Sequence, residues 1–281
     1  MHIFQILILS IVQGMAELLP VSSSAHVIIA EKLMGLDPTT PAMTLLLVML
    51  HTGTMFSVIV YFWKNWKKTY FLSYEQSRRN FIRIIIATCA TGVVGLFLQH
   101  LIKYIVARGN PNFEIEQIFG DIRLIAVSLA VVGVFIISSS IISRRRKSSD
   151  DLSGKSAFWI GVVQGLCLPF RGFSRSGATI STGLSLGVSR QVAEEFSFAL
   201  AVVLTPVVIV RELYRLFYHD TAVITPDAVM HMIAPGLLGM LFSFLAGLAA
   251  IRWLSKWLES GKWYLFGFYC LVASCVVLSI G

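Results

Sequence analysis

The chain has 281 residues, of which 56% are hydrophobic and 14% charged, with a formal net charge of +8 and a mean hydropathy of +0.76. Composition this apolar excludes an ordinary soluble domain and indicates a multi-spanning integral membrane protein. The basic residues fall in short stretches between apolar runs instead of along one face, which argues against a nucleic-acid partner and marks them as topology signals.

The first apolar segment runs from Ile3 to Leu19. No Lys or Arg precedes it, and Gln13 and Glu17 interrupt its end, so it reads as part of the mature fold and not as a cleaved signal peptide. Pro20 breaks it, and a second apolar piece follows from Val21 to Met34. Neither piece has the roughly 20 uninterrupted apolar residues that a span requires, so the pair is expected to form a re-entrant helical hairpin. Three spans follow, about Pro41 to Trp63, Phe81 to Val106 and Ile118 to Ile142.

The pattern then repeats. Ala157 to Leu168 with Ser176 to Leu186 is a second broken pair, interrupted at Pro169 to Gly172, and three more spans follow at about Ala193 to Leu216, Ala228 to Leu254 and Lys262 to Ile280. Val12-Gln13-Gly14-Met15 ahead of Pro20 has its counterpart in Val163-Gln164-Gly165-Leu166 ahead of Pro169. An odd number of spans per half inverts the second copy. The expected fold is therefore an all-α integral membrane protein with six transmembrane helices and two re-entrant hairpins. It is a single membrane domain over 1–281, made of inverted repeats at about 1–143 and about 156–281 joined by a basic cytoplasmic loop.

Orientation follows from the basic stretches. Lys64, Lys67, Lys68, Arg78, Arg79 and Arg83 mark one cytoplasmic loop, Arg144 to Lys147 with Lys155 a second, and Arg252, Lys256 and Lys262 a third. The loops near Asn110 to Gln117 and His219 to Asp227 are then external, as are both termini. The four cysteines, Cys89, Cys167, Cys270 and Cys275, stand singly in apolar segments without metal-ligand spacing, as small buried hydrophobes do.

The two breaks carry the chemistry, because ionisable groups at membrane depth are costly and mark functional sites. In the first, Gln13 and Glu17 share one helix face, with Ser22, Ser23, Ser24 and His26 just beyond the proline. Glu17 suits a general base or a hard-oxygen cation ligand, and His26 exchanges protons near neutral pH. In the second, Gly172, Ser174, Arg175, Ser176, Gly177 and Thr179 combine a turn, hydroxyls, a guanidinium and a helix N-terminus, the makings of an anion cradle suited to phosphate. A carboxylate and a histidine set beside such a cradle favour hydrolysis of a phosphate ester or anhydride.

Gln13, Glu17, the run Leu19-Pro20-Val21-Ser22-Ser23-Ser24-Ala25-His26, and Gly172-Phe173-Ser174-Arg175-Ser176-Gly177-Ala178-Thr179 resemble the two signature motifs of the bacterial undecaprenyl pyrophosphate phosphatase family known for bacitracin resistance. The resemblance extends over nearly the whole chain and includes Glu195-Phe196-Ser197-Phe198. It implies an enzyme of the bacterial inner membrane that removes one phosphate from a polyprenyl pyrophosphate carrier, with its site facing the periplasm or outside. It also implies competition with bacitracin, which binds the substrate, and it is compatible with a homodimer. The family pattern places Glu17, Ser23, His26, Ser174, Arg175 and Thr179 in the site. It also brings a divalent cation, Mg2+ or Ca2+, which Glu17 would hold, with Gln13 as a further candidate. Arg175 would clamp phosphate with Ser22, Ser174, Ser176 and Thr179, while Ser23, His26 or an activated water stays open as the attacking group.

Two positions depart from that pattern. Gln13 stands where the family often has a second Glu, and Arg171 replaces the Pro usual before the Gly, in a turn that carries one extra residue. Among the other polar residues, His51, with Thr52, Gly53 and Thr54, is a candidate support for the site, although a role in helix packing weighs more. Glu195 is expected to hydrogen-bond a Ser-rich tip, and Glu31, Glu194 and Glu212 to reach water or headgroups. A different class of function, a secondary transporter or flippase for an anionic lipid or phosphate compound, is the alternative that broken helices and an inverted repeat also fit.

Overall fold

A computed structural model describes residues 2–37, 40–71, 73–107, 121–218 and 226–280. Ten helices occupy them: α1 (Ile3–Leu18), α2 (Ser23–Leu33), α3 (Pro41–Phe71), α4 (Tyr74–Ala107), α5 (Ile122–Arg145), α6 (Gly154–Cys167), α7 (Arg175–Ser185), α8 (Arg190–Tyr218), α9 (Pro226–Glu259) and α10 (Tyr264–Ile280). Among the described residues there is no strand, only an isolated bridge between Ser149 and Val188. Five helices are long and apolar enough to cross a bilayer, namely those in Pro41–Phe71, Tyr74–Ile105, Ile122–Arg145, Arg190–Tyr214 and Ile233–Glu259. The protein is an all-helical, multi-pass membrane protein.

The expected sixth span corresponds to the 17-residue α10, at the short end of the roughly 17–25 residues of a spanning helix. The first basic stretch also differs from the expected loop. Lys64, Lys67 and Lys68 continue α3 and Arg78, Arg79 and Arg83 lie on α4, because nothing between Trp63 and Phe71 breaks a helix and straight-chain Lys is a good helix former. The loops expected near Asn110 to Gln117 and His219 to Asp227 lie outside the described residues, apart from Pro226 and Asp227, which open α9.

The chain divides into two compact units. The first comprises Met1–Leu19, Ser23–Trp63 and Ala201–Leu254. In it α1 packs on α2 around Ile6, Leu9, Val27, Met43, Leu46 and Leu50. Small residues let backbones approach here: a Cβ on Gly14 would lie 2.6 Å from the Ser243 carbonyl oxygen of α9, and one on Gly53 of α3 would strike the Met240 carbonyl. Ser243 Oγ donates to the Leu50 carbonyl at 2.9 Å. Close contact and a polar tie replace the hydrophobic driving force that lipid removes.

The second unit comprises Pro20–Ser22, Lys64–Leu200 and Ser255–Gly281. Here α4 packs on α6, α5 on α10 and α7, and α6 on α7. Ile125, Leu129, Val132 and Ile136 form a fully buried stripe on α5 at helical spacing. Ser274 Oγ donates to the Ala126 carbonyl at 2.6 Å, and Thr91 Oγ1 donates to the Gly161 carbonyl at 2.9 Å.

Gly53→Val should lower the stability of the purified protein by about 1–3 kcal/mol through overpacking against α9. Gly92→Val, where an added Cβ meets nothing within 4 Å, should not. Thermal unfolding of both variants in one detergent checks the difference.

Candidate functional site

In the first unit the helix ends where Pro20 ends it. The residue before a proline is driven to extended backbone, and Leu19 sits at φ −72°, ψ 150°, its N–H still donating to the Met15 carbonyl. Ser22 then adopts φ +68°, a left-handed conformation that costs a non-glycine residue about 1–2 kcal/mol, and α2 starts at Ser23. This reversal brings the first residue of α2 back onto the last turn of α1. Ser23 Oγ donates to Glu17 Oε2 at 2.5 Å.

The same carboxylate oxygen accepts from Gln13 Nε2 at 3.3 Å. The Gln13 amide nitrogen also lies 3.0 Å from His51 Nδ1, and His51 Nδ1 lies 3.8 Å from Glu17 Oε2. An amide nitrogen only donates, so in this contact Nδ1 is the acceptor. Gln13 is 2% exposed, whereas the Glu17 and His51 side chains are 18% and 34% exposed. The buried amide thus aligns a partly accessible carboxylate and imidazole. His26 sits half-buried on α2, three residues after Ser23 and therefore on the same helix face.

His51 is the residue that sequence reasoning undervalued. Its neighbours behave as packing groups, since Thr52 Oγ1 donates to the Val48 carbonyl at 2.8 Å and Thr54 Oγ1 to the His51 carbonyl at 2.9 Å. His51 alone of that run turns its side chain to the Gln13 amide. Spacing along α1 showed that Gln13 and Glu17 share a face, but nothing in α3 told which face of it meets them.

In the second unit, the break before α7 turns at Gly172, with φ +95°. A Cβ there would also lie 2.5 Å from the Ile125 carbonyl oxygen, so the extra residue and Arg171 are accommodated by a glycine with backbone packed against its open side. Arg171 itself is exposed. Ser174 is the N-cap of α7 and accepts from the Gly177 N–H at 3.2 Å, as an N-cap hydroxyl does. Its Oγ lies 3.4 Å from Ser176 Oγ. Arg175, half-buried, is the first residue of α7, where the positive end of the helix dipole adds to its own charge.

Thr179 is fully buried. Its hydroxyl donates to the Arg175 carbonyl at 2.8 Å and lies 2.6 Å from Ser197 Oγ. Ser174 and Ser176 are 3% and 2% exposed, so these hydroxyls shape the turn from within, and Arg175 beside them is half-buried. The turn of the first break, Pro20–Ser22, belongs to this unit. Cys270 Sγ lies 3.2 Å from the Pro20 carbonyl, and a Cβ on Gly177 would lie 3.2 Å from Pro20 Cβ.

Glu195 does not bond a Ser-rich tip. Its Oε1 accepts from Asn65 Nδ2 at 2.7 Å and Gln191 Nε2 at 3.0 Å. The reason is helical phase: each residue advances about 100°, so Ser197 reaches Thr179 while Glu195, two positions earlier, points away. Glu194 takes a third direction, and its Oε1 accepts from Ser255 Oγ at 2.5 Å.

Among the described residues no three of His, Cys, Asp and Glu gather as a metal cage. Glu17 with the neighbouring Ser23 hydroxyl offers hard oxygen donors around a single carboxylate, while the Gln13 amide turns its nitrogen to them. That set fits Mg2+ or Ca2+ only in the way that substrate-bridged ions are held, with phosphate oxygens completing the coordination.

A family model, that of the bacitracin resistance protein BacA, matches residues 6–276. The chain is 58% identical over 282 residues to undecaprenyl-diphosphatase 2 of Acinetobacter baylyi, an alignment covering 100% of this chain and 98% of that protein. It is 33% identical over 294 residues to undecaprenyl-diphosphatase 2 of Burkholderia thailandensis, covering 99% and 96%. It is 32% identical over 294 residues to undecaprenyl-diphosphatase 1 of Burkholderia pseudomallei strain K96243, again covering 99% and 96%.

Thr179→Val should cost about 1–3 kcal/mol of stability, because it strands the buried Ser197 hydroxyl. Adding Ser197→Ala should cost less than the two single changes summed, with a coupling of about 0.5–3 kcal/mol in a double-mutant cycle.

Proposed function

The chain belongs to the bacitracin resistance protein BacA family, and from that premise we propose that its two breaks serve one reaction, hydrolysis of undecaprenyl diphosphate to undecaprenyl phosphate and inorganic phosphate. The reaction recycles the lipid carrier for cell-envelope polymers. Bacitracin, by sequestering the diphosphate, competes for the same substrate. The observation that carries the chemical reading is the Ser23 hydroxyl donating to Glu17 at 2.5 Å, the arrangement of a nucleophile on its base.

In the first step Ser23 Oγ attacks the terminal phosphorus and passes its proton to Glu17. The phosphoanhydride bond breaks, and its electron pair stays on the bridging oxygen of the departing undecaprenyl phosphate. In the second step a water attacks the phosphoserine, giving a proton to His26. Glu17 returns its proton to Oγ as the phosphorus–Oγ bond breaks, and phosphate leaves. Gln13 holds Glu17 in line throughout, and Arg175 with the N-terminus of α7 offsets the charge of the phosphates. Ser22, Ser174, Ser176 and Thr179 maintain the turns that carry these groups. A divalent cation held by Glu17, with the Gln13 side chain beside it, would supply further charge neutralisation of the diphosphate.

The finer architecture is part of the same proposal. Each helix pair, α1 with α2 and α6 with α7, is a re-entrant hairpin, and the repeats about 1–143 and about 156–281 are inverted copies in a single membrane domain of the inner membrane, with the site open to the periplasm. Two helix–turn–helix pairs, each broken after a Gln-Gly dipeptide and a proline, support it.

The test uses the purified full chain in detergent with undecaprenyl diphosphate and Mg2+. Glu17→Gln, Ser23→Ala and Arg175→Ala should each lower kcat/KM by about 10²–10⁴, and chelation of the cation should slow the wild type. Acid quenching during turnover should trap phosphate on Ser23, detectable by peptide mass spectrometry. Lipid flux without phosphate release would overturn hydrolysis. Undiminished turnover in Glu17→Gln and Arg175→Ala would overturn the site, and full activity of Ser23→Ala would overturn the nucleophile.

A further inference from the structure

The second unit contains a cavity of about 370 Å3 whose walls include Tyr70, Arg79, Arg83, Asp150, Asp151 and Glu195. It shares no lining residue with the break before α7, and its volume is in the range of small-ligand sites. The walls come from the end of α3, the start of α4, the connection between α5 and α6, and the start of α8.

Part of the lining is already balanced. Arg83 donates to Asn80 Oδ1 at 2.9 Å and to Asp151 Oδ1 at 2.8 Å, so its charge fixes the wall. Asn80 is itself anchored, donating to the Thr69 carbonyl at 2.9 Å. The remainder is not balanced. Glu195 is 9% exposed, and the two donors to its Oε1 are the neutral amides of Asn65 and Gln191. The ion pair in this lining is Arg83 with Asp151, and Glu195 has no cationic partner among the described residues. A buried carboxylate is costly unless a positive charge faces it. At the rim, Arg79 is exposed and lies on the same face of α4 as Arg83, one turn earlier. It too makes no ion pair among the described residues.

Outside that pair the lining charges are Glu195, recessed and negative, and two exposed groups at the edge, Arg79, positive, and Asp150, negative. A simple anion would meet Glu195 with Asp150 and Asp151, and a metal ion would find no group of three ligating residues among the described ones. A ligand carrying an ammonium group and a phosphate on one short linker matches Glu195 and Arg79. We propose that this cavity binds a phosphoethanolamine headgroup, with the ammonium at Glu195 and the phosphate at Arg79, presented by a phosphatidylethanolamine of the surrounding leaflet. A primary ammonium has N–H donors for the carboxylate, which a choline group lacks.

Its position favours a lipid source. Lys64, Lys67, Lys68, Trp66 and Tyr70 mark the end of α3, the mixture of basic and aromatic residues found at the level of headgroups. The site is independent of the phosphatase reading, and its test uses no turnover.

The experiment is native mass spectrometry of the full chain released from nanodiscs of equal phosphatidylethanolamine, phosphatidylglycerol and phosphatidylcholine with identical acyl chains. Thermal unfolding with soluble phosphoethanolamine runs in parallel. Wild type should retain phosphatidylethanolamine on the order of tenfold over the other two lipids, a difference of one decade in affinity. Glu195→Gln should abolish that preference. Arg79→Ala, an exposed change that leaves the fold in place, should reduce retention of phosphatidylethanolamine. Equal retention of the three lipids by wild type, or a preference kept by both variants, would overturn the proposal. Stabilisation by soluble phosphoethanolamine without selective retention of the lipid would overturn the lipid source.

Discussion

A carboxylate set in apolar sequence must find its hydrogen bonds inside the protein, and the first unit is arranged around that requirement at Glu17. Its side chain is 18% exposed, so neighbouring side chains supply donors where water is scarce. One is an amide a turn earlier on the same helix, at 3.3 Å. The other is a hydroxyl that reaches Glu17 at 2.5 Å only because the chain reverses within four residues. Pro20, the left-handed Ser22 and the start of α2 at Ser23 therefore form one device. Backbone strain at Ser22 is the local cost of placing that hydroxyl, the kind of outlier that persists where surrounding structure holds it.

The second break meets a different demand, because it presents a cation and not a carboxylate. Arg175 needs no donors, only a fixed backbone, and its backbone is held by hydroxyls. Ser174 caps α7, and Thr179 ties the Arg175 carbonyl to Ser197 on α8. Ser174, Thr179 and Ser197 are each buried. The outcome is a guanidinium on a rigid mount, which loses less freedom when it meets an anion than a mobile one would.

Much of this was legible in the sequence, and the gaps have physical causes. Pro20 and Pro169 to Gly172 located both breaks, because proline and glycine act on the backbone locally. Helical spacing put Gln13 and Glu17 on one face. The charge after Trp63 suggests solvent and a loop, yet Lys64, Lys67 and Lys68 continue α3; charge reports environment and not backbone state. His51 and Glu195 show the harder limit. Which of two polar residues joins a site depends on the rotation of one helix against another, and the facing pattern of an isolated segment does not contain that angle.

Gln13 shows how one substitution can reset the balance of such a cluster. A carboxylate at this position would put a second negative charge about as close to Glu17 Oε2 as the amide nitrogen now is, 3.3 Å. Two carboxylates at that separation cannot both ionise without a cation or a shared proton. The amide removes the conflict and reverses the polarity of the contact, donating to Glu17 while its second N–H is directed at His51 Nδ1. Two of the donors to that one carboxylate, the Gln13 amide and the Ser23 hydroxyl, are neutral.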